Sequence, residues 1–478
     1  MKQFFRPEWT CGRYNTEKRV ALIYNLIEGM SYFLEDESAD VIGHILASQR
    51  NEKVDFNRLL SQSDLTEELL NPFLDQLIAL NLLATQIPTK SGVIEYRKNV
   101  AQWKKSNPIL LDKSTKEKLP FEVSNAEMAY TERVGGITSV MFELTYVCSE
   151  QCIHCYNIGA SRPNNENNQR GKIKSLSLED YKKIIDELVG QGLVKVTLSG
   201  GDPFSNSNVW EIIKYLYNKE VVFDIFTNGQ GLVGKTTELA DFYPRLVGVS
   251  IYSETPSVHD AITRVDGSWE KSITVLKELG DLSVPLNVKC CIMQPNFDSY
   301  KGVVQIAKSI GAHPQFEIGV HDSIEGDKYV SKYLRLTPEQ FEVVLRDDNI
   351  SLYVGPEAPN YGGQKKDLTS SSCGAGKNTF CIRPDGILIP CCSFHLELGN
   401  LKESSLNKIL KSDKLEKWHN FTLANSEECG QHDYCDYCNL CVGHAYSEYK
   451  DYKKPSENCC HLAKIRHGLA HKLMAETS

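Results

Sequence analysis

From residue 139 onward the chain alternates short apolar runs with amphipathic ones, and this rhythm restricts its possible folds more than any other feature. Strands are predicted over 140–147, 194–199, 221–227, 246–252, 286–293 and 315–320. Helices are predicted between and after them, over 178–191, 209–217, 269–279, 300–310 and 338–345, with a short third crossover at 236–242. Such repetition predicts a parallel sheet with helices on its outer face. Six units are too few for a closed eight-stranded barrel. The expected fold class is therefore α/β, an incomplete (β/α)6 barrel with its chemistry at the carboxyl ends of the strands.

Flanking segments complete the expected domain plan. A chain of 478 residues exceeds one hydrophobic core. Residues 19–27 and 30–34 read as a hairpin turning at Glu28-Gly29. Asp36 offers an N-cap for a helix carrying Ala39, Ile42, Ile45 and Leu46. A second helix carries Leu69, Leu70, Phe73, Leu74, Leu77 and Ile78, and runs into Leu82-Leu83. A hairpin with three helices predicts a winged-helix-like module over 1–95. DNA binding is the ordinary role of that architecture. No Lys or Arg lies between Leu59 and Thr89, so a phosphate-reading helix is not expected there. An exposed hairpin edge instead suits an extended peptide. Residues 96–137 read as a linker, 138–347 as the partial barrel and 348–478 as a cysteine-rich domain organised by metal rather than by an apolar core. Residues 164–174 form a polar, Asn-rich loop.

A net charge of -9 argues against nucleic acid as a partner. No apolar run is long enough to span a bilayer. The start, Met1-Lys2-Gln3-Phe4-Phe5-Arg6-Pro7, lacks the pattern of a signal peptide, so a cytoplasmic protein without membrane association is expected.

Sixteen cysteines then need an explanation other than disulfides. The first predicted barrel strand runs directly into Cys148-Ser149-Glu150-Gln151-Cys152-Ile153-His154-Cys155-Tyr156. One loop with these gaps can hold three corners of a cubane [4Fe–4S] cluster and leave the fourth iron open, unlike four-cysteine electron-transfer sites. The alternative is a zinc knuckle, which needs a fourth ligand that His154, between two ligands, is poorly placed to supply. Cys290 and Cys291 sit on the fifth strand, where alternation points one inward and one outward. An inward thiol could donate hydrogen to a radical; a small core residue is the ordinary reading.

The three-cysteine loop after a first barrel strand resembles the radical S-adenosylmethionine (SAM) superfamily. The resemblance continues in Gly200-Gly201-Asp202-Pro203, where the family usually has Gly-Gly-Glu-Pro. It extends to Thr227-Asn228-Gly229, to Ser250, and to Arg264 after His259-Asp260-Ala261-Ile262-Thr263. It implies a catalytic cluster on Cys148, Cys152 and Cys155. Gly200, Gly201 and Asp202 would bind the methionine amino group of S-adenosylmethionine, Ser250 the ribose and Arg264 the methionine carboxylate.

Cys373, and Gly386 with four residues between it and Cys391, resemble the opening of the SPASM domain, which holds auxiliary [4Fe–4S] clusters. The resemblance implies two. Cys373, Cys391 and Cys441, with Cys381 as a possible fourth, would hold the first; Cys429, Cys435, Cys438 and Cys459 would hold the second. Cys392 and Cys460 are adjacent spares that could exchange with their neighbours. The gaps of five, two and two differ from the family's usual two, five and three, and zinc ribbons remain the alternative.

This layout resembles maturases of ribosomally made peptides with an N-terminal leader-recognition element. It implies a precursor peptide as partner and an electron donor such as a flavodoxin or ferredoxin. The expected reaction is an intrapeptide crosslink made with a 5′-deoxyadenosyl radical, a thioether being favoured and a carbon–carbon or ether link possible. Peptide epimerisation and sulfatase-maturase-like formylglycine formation are the alternatives. A zinc-organised adaptor without catalysis is the non-enzymatic one.

Overall fold

The computed structural model describes residues 3–107, 124–161, 170–347, 367–369, 373–438 and 440–476. Residues 164–169 of the expected polar loop lie outside the described residues.

The N-terminal part contains β1 (Phe4–Phe5), β2 (Thr10–Asn15), β3 (Val20–Asn25), β4 (Met30–Glu35), α1 (Asp36–Ala47), β5 (Lys53–Val54), α2 (Phe56–Gln62) and α3 (Glu67–Ala79). The predicted hairpin is β3–β4, and β2 joins it to make an antiparallel sheet in the order β2-β3-β4. One face carries Ala21 and Ile23, buried against Ile42, Ile45, Leu70 and Leu74 of the helices. The other carries Leu22 and Tyr24 and packs on Val194, Val222 and Tyr243 at the base of the barrel. Alternation along a strand buried on both faces thus fastens this unit to its neighbour. Ion pairs add to the joint. Arg6 and Arg50 both reach Glu220, and Tyr24 donates to Glu127 at 2.9 Å, which also pairs with Lys195 at 3.1 Å.

The stretch expected to be a linker over 96–137 carries helices. α4 (Lys90–Ser106) crosses the expected boundary at 95, and α5 (Asn125–Val134) begins with a capping box from Ser124 and Glu127. α4 docks through Val93, Tyr96 and Val100, partly buried against the cluster that holds Trp9 and Tyr24, and through a cation: Arg97 donates to the Ala240 carbonyl at 2.7 Å and stacks over Tyr243.

The barrel follows as β6 (Ser139–Thr145), α6 (Leu178–Gly190), β7 (Lys195–Gly200), α7 (Val209–Asn218), β8 (Val222–Thr227), α8 (Thr236–Ala240), β9 (Leu246–Ser250), α9 (Pro256–Thr263), α10 (Ser268–Asp281), β10 (Leu286–Cys291), α11 (Gly302–Ile310), β11 (His313–Glu317), α12 (Tyr329–Tyr333) and α13 (Pro338–Arg346). The six strands are parallel and neighbours in chain order, as the strand–helix rhythm predicts. Val140, Phe142, Val196, Leu198, Phe223, Ile225, Val247, Val249 and Val288 pack against the helices. Their alternates face the barrel interior.

Beyond the barrel come β12 (Thr379–Ile382), β13 (Ile387–Ile389), β14 (Gly399–Asn400), α14 (Leu406–Leu410), α15 (Asp413–His419), α16 (Val442–Tyr449) and α17 (Glu457–Glu476). β12 pairs in parallel with β6, setting Cys381 opposite Met141, and β13 and β14 extend one nine-stranded sheet. This region was expected to lack an apolar core, yet it has an aromatic one: Trp418 lies against Phe394, Phe421 and Tyr452. Side chains scattered across 394–452 assemble it, which local periodicity does not reveal. Among the described residues, no helix is long and apolar enough to cross a membrane.

Candidate active site

The three-cysteine loop leaves the carboxyl end of β6, and its backbone is fastened on both sides. Gln151 and Ile153 donate to the carbonyls of Thr263 and Ile262 at the end of α9, each at 2.9 Å. Cys155 N–H donates to the Cys152 carbonyl, and the Asn157 amide to the Gly200 carbonyl at 2.7 Å. Cys148, Cys152 and Cys155 are all half-buried. His154 sets its ring edge-on to Tyr252, with centroids 4.7 Å apart.

Gly200 and Gly201 have a mechanical reason to be glycines. A Cβ on Gly200, whose φ is +123°, would meet the Thr145 carbonyl oxygen at 2.3 Å; one on Gly201 would meet Val147 O at 2.4 Å. The Gly-Gly backbone presses on the start of the cluster loop, and Gly201 N–H donates to Thr145 O at 2.6 Å.

Asp202 is buried and turned into the strand ends. Its carboxylate accepts from Phe204 N at 2.9 Å, Thr227 Oγ1 at 2.6 Å and Asn228 N at 2.9 Å. Burial pushes its carboxyl above the usual range, and these hydrogen bonds pull against that. A side chain one methylene shorter than Glu stays within the turn. Ser250 is half-buried at the end of β9. Arg264 caps α9 in the left-handed conformation, φ +60°, and its Nη1 lies 3.5 Å from Ser161 Oγ beside the loop.

Alternation resolves the cysteine pair of β10. Cys290 joins the core beneath the helices, and Cys291 packs with Tyr252, Cys152 and Ile153 on the catalytic side. Glu143 of β6 faces inward, accepts from Tyr146 Oη at 2.7 Å, and is pushed up to about 8 by burial and then by Cys392.

In the C-terminal region, contact with Cys392 and burial push the Cys391 thiol well up, and Cys441 adds to this. Burial raises Cys441, with Cys373 and Cys392 contributing. Cys381 is fully buried on β12 and is raised by burial, then by Glu143 and Cys392. Cys392, a spare in the sequence reading, is thus the neighbour these thiols share. The other group surrounds a cavity lined by Cys429, Cys435, Cys438, Cys459 and Cys460. Burial raises Cys460 to about 11, with Cys429 and Cys435 next, whereas the thiols acting on Cys459 are Cys438 and Cys441.

This donor set fits clusters: the thiols stand around a cavity or along one open loop, and thiolates are the ligands that iron–sulfur clusters take. Sequence reasoning missed a row of rings joining the two regions. Tyr156 lies 5.1 Å from His321, His321 lies 4.6 Å from His444, and His444 Nδ1 is 3.7 Å from Cys459 Sγ. Residues so far apart in sequence leave no local signal.

Residues 142–310 match the radical SAM superfamily, and residues 373–442 match the SPASM iron–sulfur cluster-binding domain. With the cluster loop at the end of β6, these matches define the class: the chain is a radical SAM enzyme with a SPASM domain. Its cofactors are S-adenosylmethionine and [4Fe–4S] clusters. The chain is 26% identical over 335 residues to the antilisterial bacteriocin subtilosin biosynthesis protein AlbA of Bacillus subtilis, covering 68% of this chain and 70% of that one. It is 24% identical over 273 residues to the sporulation killing factor maturation protein SkfB of the same organism, covering 57% and 64%. The crystal structure of Streptococcus suis SuiB bound to precursor peptide SuiA superposes with a TM-score of 0.54 at 14% identity, over 95% of this chain and 99% of that one.

Proposed function

We propose that the protein is a maturase that binds the leader of a ribosomally made precursor peptide and forms an intrapeptide crosslink in its core, preferably a thioether. The observation that carries the leader-binding part is the outer edge of β4. It ends the β2-β3-β4 sheet without a strand partner among the described residues, while both faces of the sheet are already covered. An extended peptide gains main-chain hydrogen bonds at such an edge, and neighbouring side chains set its register. Similarity to AlbA and SkfB supports a peptide as substrate.

With the cofactors bound, reductive cleavage of S-adenosylmethionine supplies a 5′-deoxyadenosyl radical that abstracts hydrogen from an unactivated carbon. Cys148, Cys152 and Cys155 would hold the catalytic cluster. Gly200 and Gly201 fix the loop, while Ser250 and Arg264 would contact the nucleoside and methionine ends. The inward-facing strand residues would orient the peptide carbon and keep water from it. Cys373, Cys391, Cys392 and Cys441, and ligands from the five cysteines around the C-terminal cavity, would supply two auxiliary clusters. A flavodoxin or ferredoxin would deliver the electrons.

The test is amide exchange and product mass on the full-length, reconstituted protein with a precursor peptide. Leader addition is expected to slow exchange along β4, and turnover to give a core peptide that has lost hydrogen and a free thiol. Unchanged mass with inverted chirality would establish epimerisation instead. Salt-sensitive binding of duplex DNA without leader binding would overturn the proposal.

A further inference from the structure

Asn228 stands at the end of β8, and every polar atom it has is assigned. Its N–H donates to Asp202 Oδ2 at 2.9 Å, and its carbonyl accepts from Ser272 Oγ at 2.6 Å. Its Oδ1 accepts from Gln230 N–H at 2.9 Å. That bond fixes which end of the amide is which, because a backbone N–H needs the oxygen and not the NH2 group. The Nδ2 group therefore points the other way, to Cys148 Sγ at 3.4 Å and Ser149 Oγ at 3.0 Å. Asn228 itself is buried, while Cys148 is half-buried and Ser149 exposed, so the amide reaches the loop from the protein side.

We propose that Asn228 is a hydrogen-bond donor to the sulfur of Cys148 that raises the reduction potential of the catalytic cluster, with Asp202 as the residue that holds it in place. A hydrogen bond to a cluster sulfur withdraws charge from it and favours the reduced, more negative state. Groups just beyond the ligands tune metal sites in this way, and a donor held at four points costs no reorganisation when the electron arrives. The buried Asp202 carboxylate gains a purpose beyond the turn. By accepting from Thr227 and Asn228 together, it sets the Asn228 backbone so that the side chain spans from β8 to the β6 loop. The inference rests on Cys148 being a cluster ligand and deepens that assignment.

The test is a redox titration of reconstituted full-length Asn228→Ala and Asn228→Asp. It follows the electron paramagnetic resonance signal that shifts when S-adenosylmethionine is added, which separates the catalytic cluster from the others. Both variants are expected to keep wild-type iron and sulfide content and to show a more negative midpoint potential. Cleavage of S-adenosylmethionine should slow with reduced flavodoxin and recover under a stronger reductant such as titanium(III) citrate. Ser149→Ala removes the other partner of the same amide and should leave the potential unchanged. A fully loaded Asn228→Asp with the wild-type potential would overturn the proposal. Failure of both variants to load the cluster would also overturn it, in favour of a purely structural role. If Cys148 is not a ligand, Cys148→Ala will retain the iron and the shifting signal, an outcome separate from either.

Discussion

The barrel wall and the segment from Leu423 to Cys441 are built on opposite principles. Every barrel strand places apolar side chains under a helix, and one continuous core runs from Ile137 through Phe316 and on into Phe394 and Trp418. Among its described residues, the Leu423–Cys441 segment has only two short 3-10 turns, Leu423–Asn425 and Asp433–Tyr437, and the second buries no residue. What it has is Cys429, Cys435 and Cys438 facing a common cavity. The barrel folds by removing hydrocarbon from water, whereas this segment, with its thiols holding an auxiliary cluster as proposed, would draw much of its folding free energy from ligand bonds to metal.

Cluster removal should therefore affect the two regions unequally. Replacing Cys148, Cys152 and Cys155 together by Ala should remove about four irons and abolish 5′-deoxyadenosine formation, because one cubane needs those thiolates. The barrel amides should stay protected from exchange, since none of the three cysteines belongs to the main core beneath the helices and only Cys152 touches the smaller cluster around Tyr252. Undiminished cleavage of S-adenosylmethionine by this variant would refute the cluster assignment. Cys438→Ala should be milder in activity and harsher in structure. Iron content and product yield fall, some reductive cleavage survives, and limited proteolysis should cut within 423–441 first. Trp418→Ala tests the aromatic core beside that segment. It removes a buried side chain and its 2.6 Å hydrogen bond to the Ala375 carbonyl. A loss of about 3–5 kcal/mol is expected in chemical denaturation, independent of iron loading. A loss that tracks iron content would show that metal, not packing, organises this part as well.

The same contrast explains what could be read from the sequence. The six barrel strands announce themselves because burial on both faces writes near-continuous apolar runs. β2 does not, because Thr10–Asn15 holds Gly12 and Arg13 in place of apolar residues; a Cβ on Gly12 would strike Leu22 O at 2.3 Å. α9 is short, and α4 buries fully only Arg97 and Ala101, its Val93, Tyr96 and Val100 being partly covered. At the site, the loop cysteines and Gly-Gly are local motifs. The turning of Asp202 towards Thr227, the reach of Asn228 to Cys148, and the row from Tyr156 to His444 exist only after strands far apart in the chain are brought together. Cys392 and Cys460 show a further limit: spacing finds a pair of adjacent thiols, but only the fold decides which neighbours each one meets.

The last prediction uses acid to separate packing from ligand bonds within the barrel. His259 is buried on α9, its Nδ1 accepts from Tyr252 N–H at 3.1 Å, and its ring stacks on that of Tyr252. Burial lowers it from its ordinary 6.5 to about 4, with Asp260 acting the other way. Between those values the unfolded chain binds the proton and the folded chain resists it, so stability falls as pH falls from about 6.5 to about 4. The ceiling on this loss is about 3.5 kcal/mol, since each unit is worth about 1.4 kcal/mol. Protonation at Nδ1 also turns an acceptor into a donor facing the Tyr252 N–H, beside the loop that carries Cys152. In His259→Gln an amide oxygen takes over the acceptor role without titrating. The variant should be less stable at pH 7.5, from imperfect packing, yet lose less between pH 7 and pH 5 than the parent. Clusters are acid-labile in both proteins, so the difference between their denaturation curves isolates the histidine. Parallel losses in the two would mean that acid acts through the metal sites alone, and the barrel would then be less independent of its clusters than its core suggests.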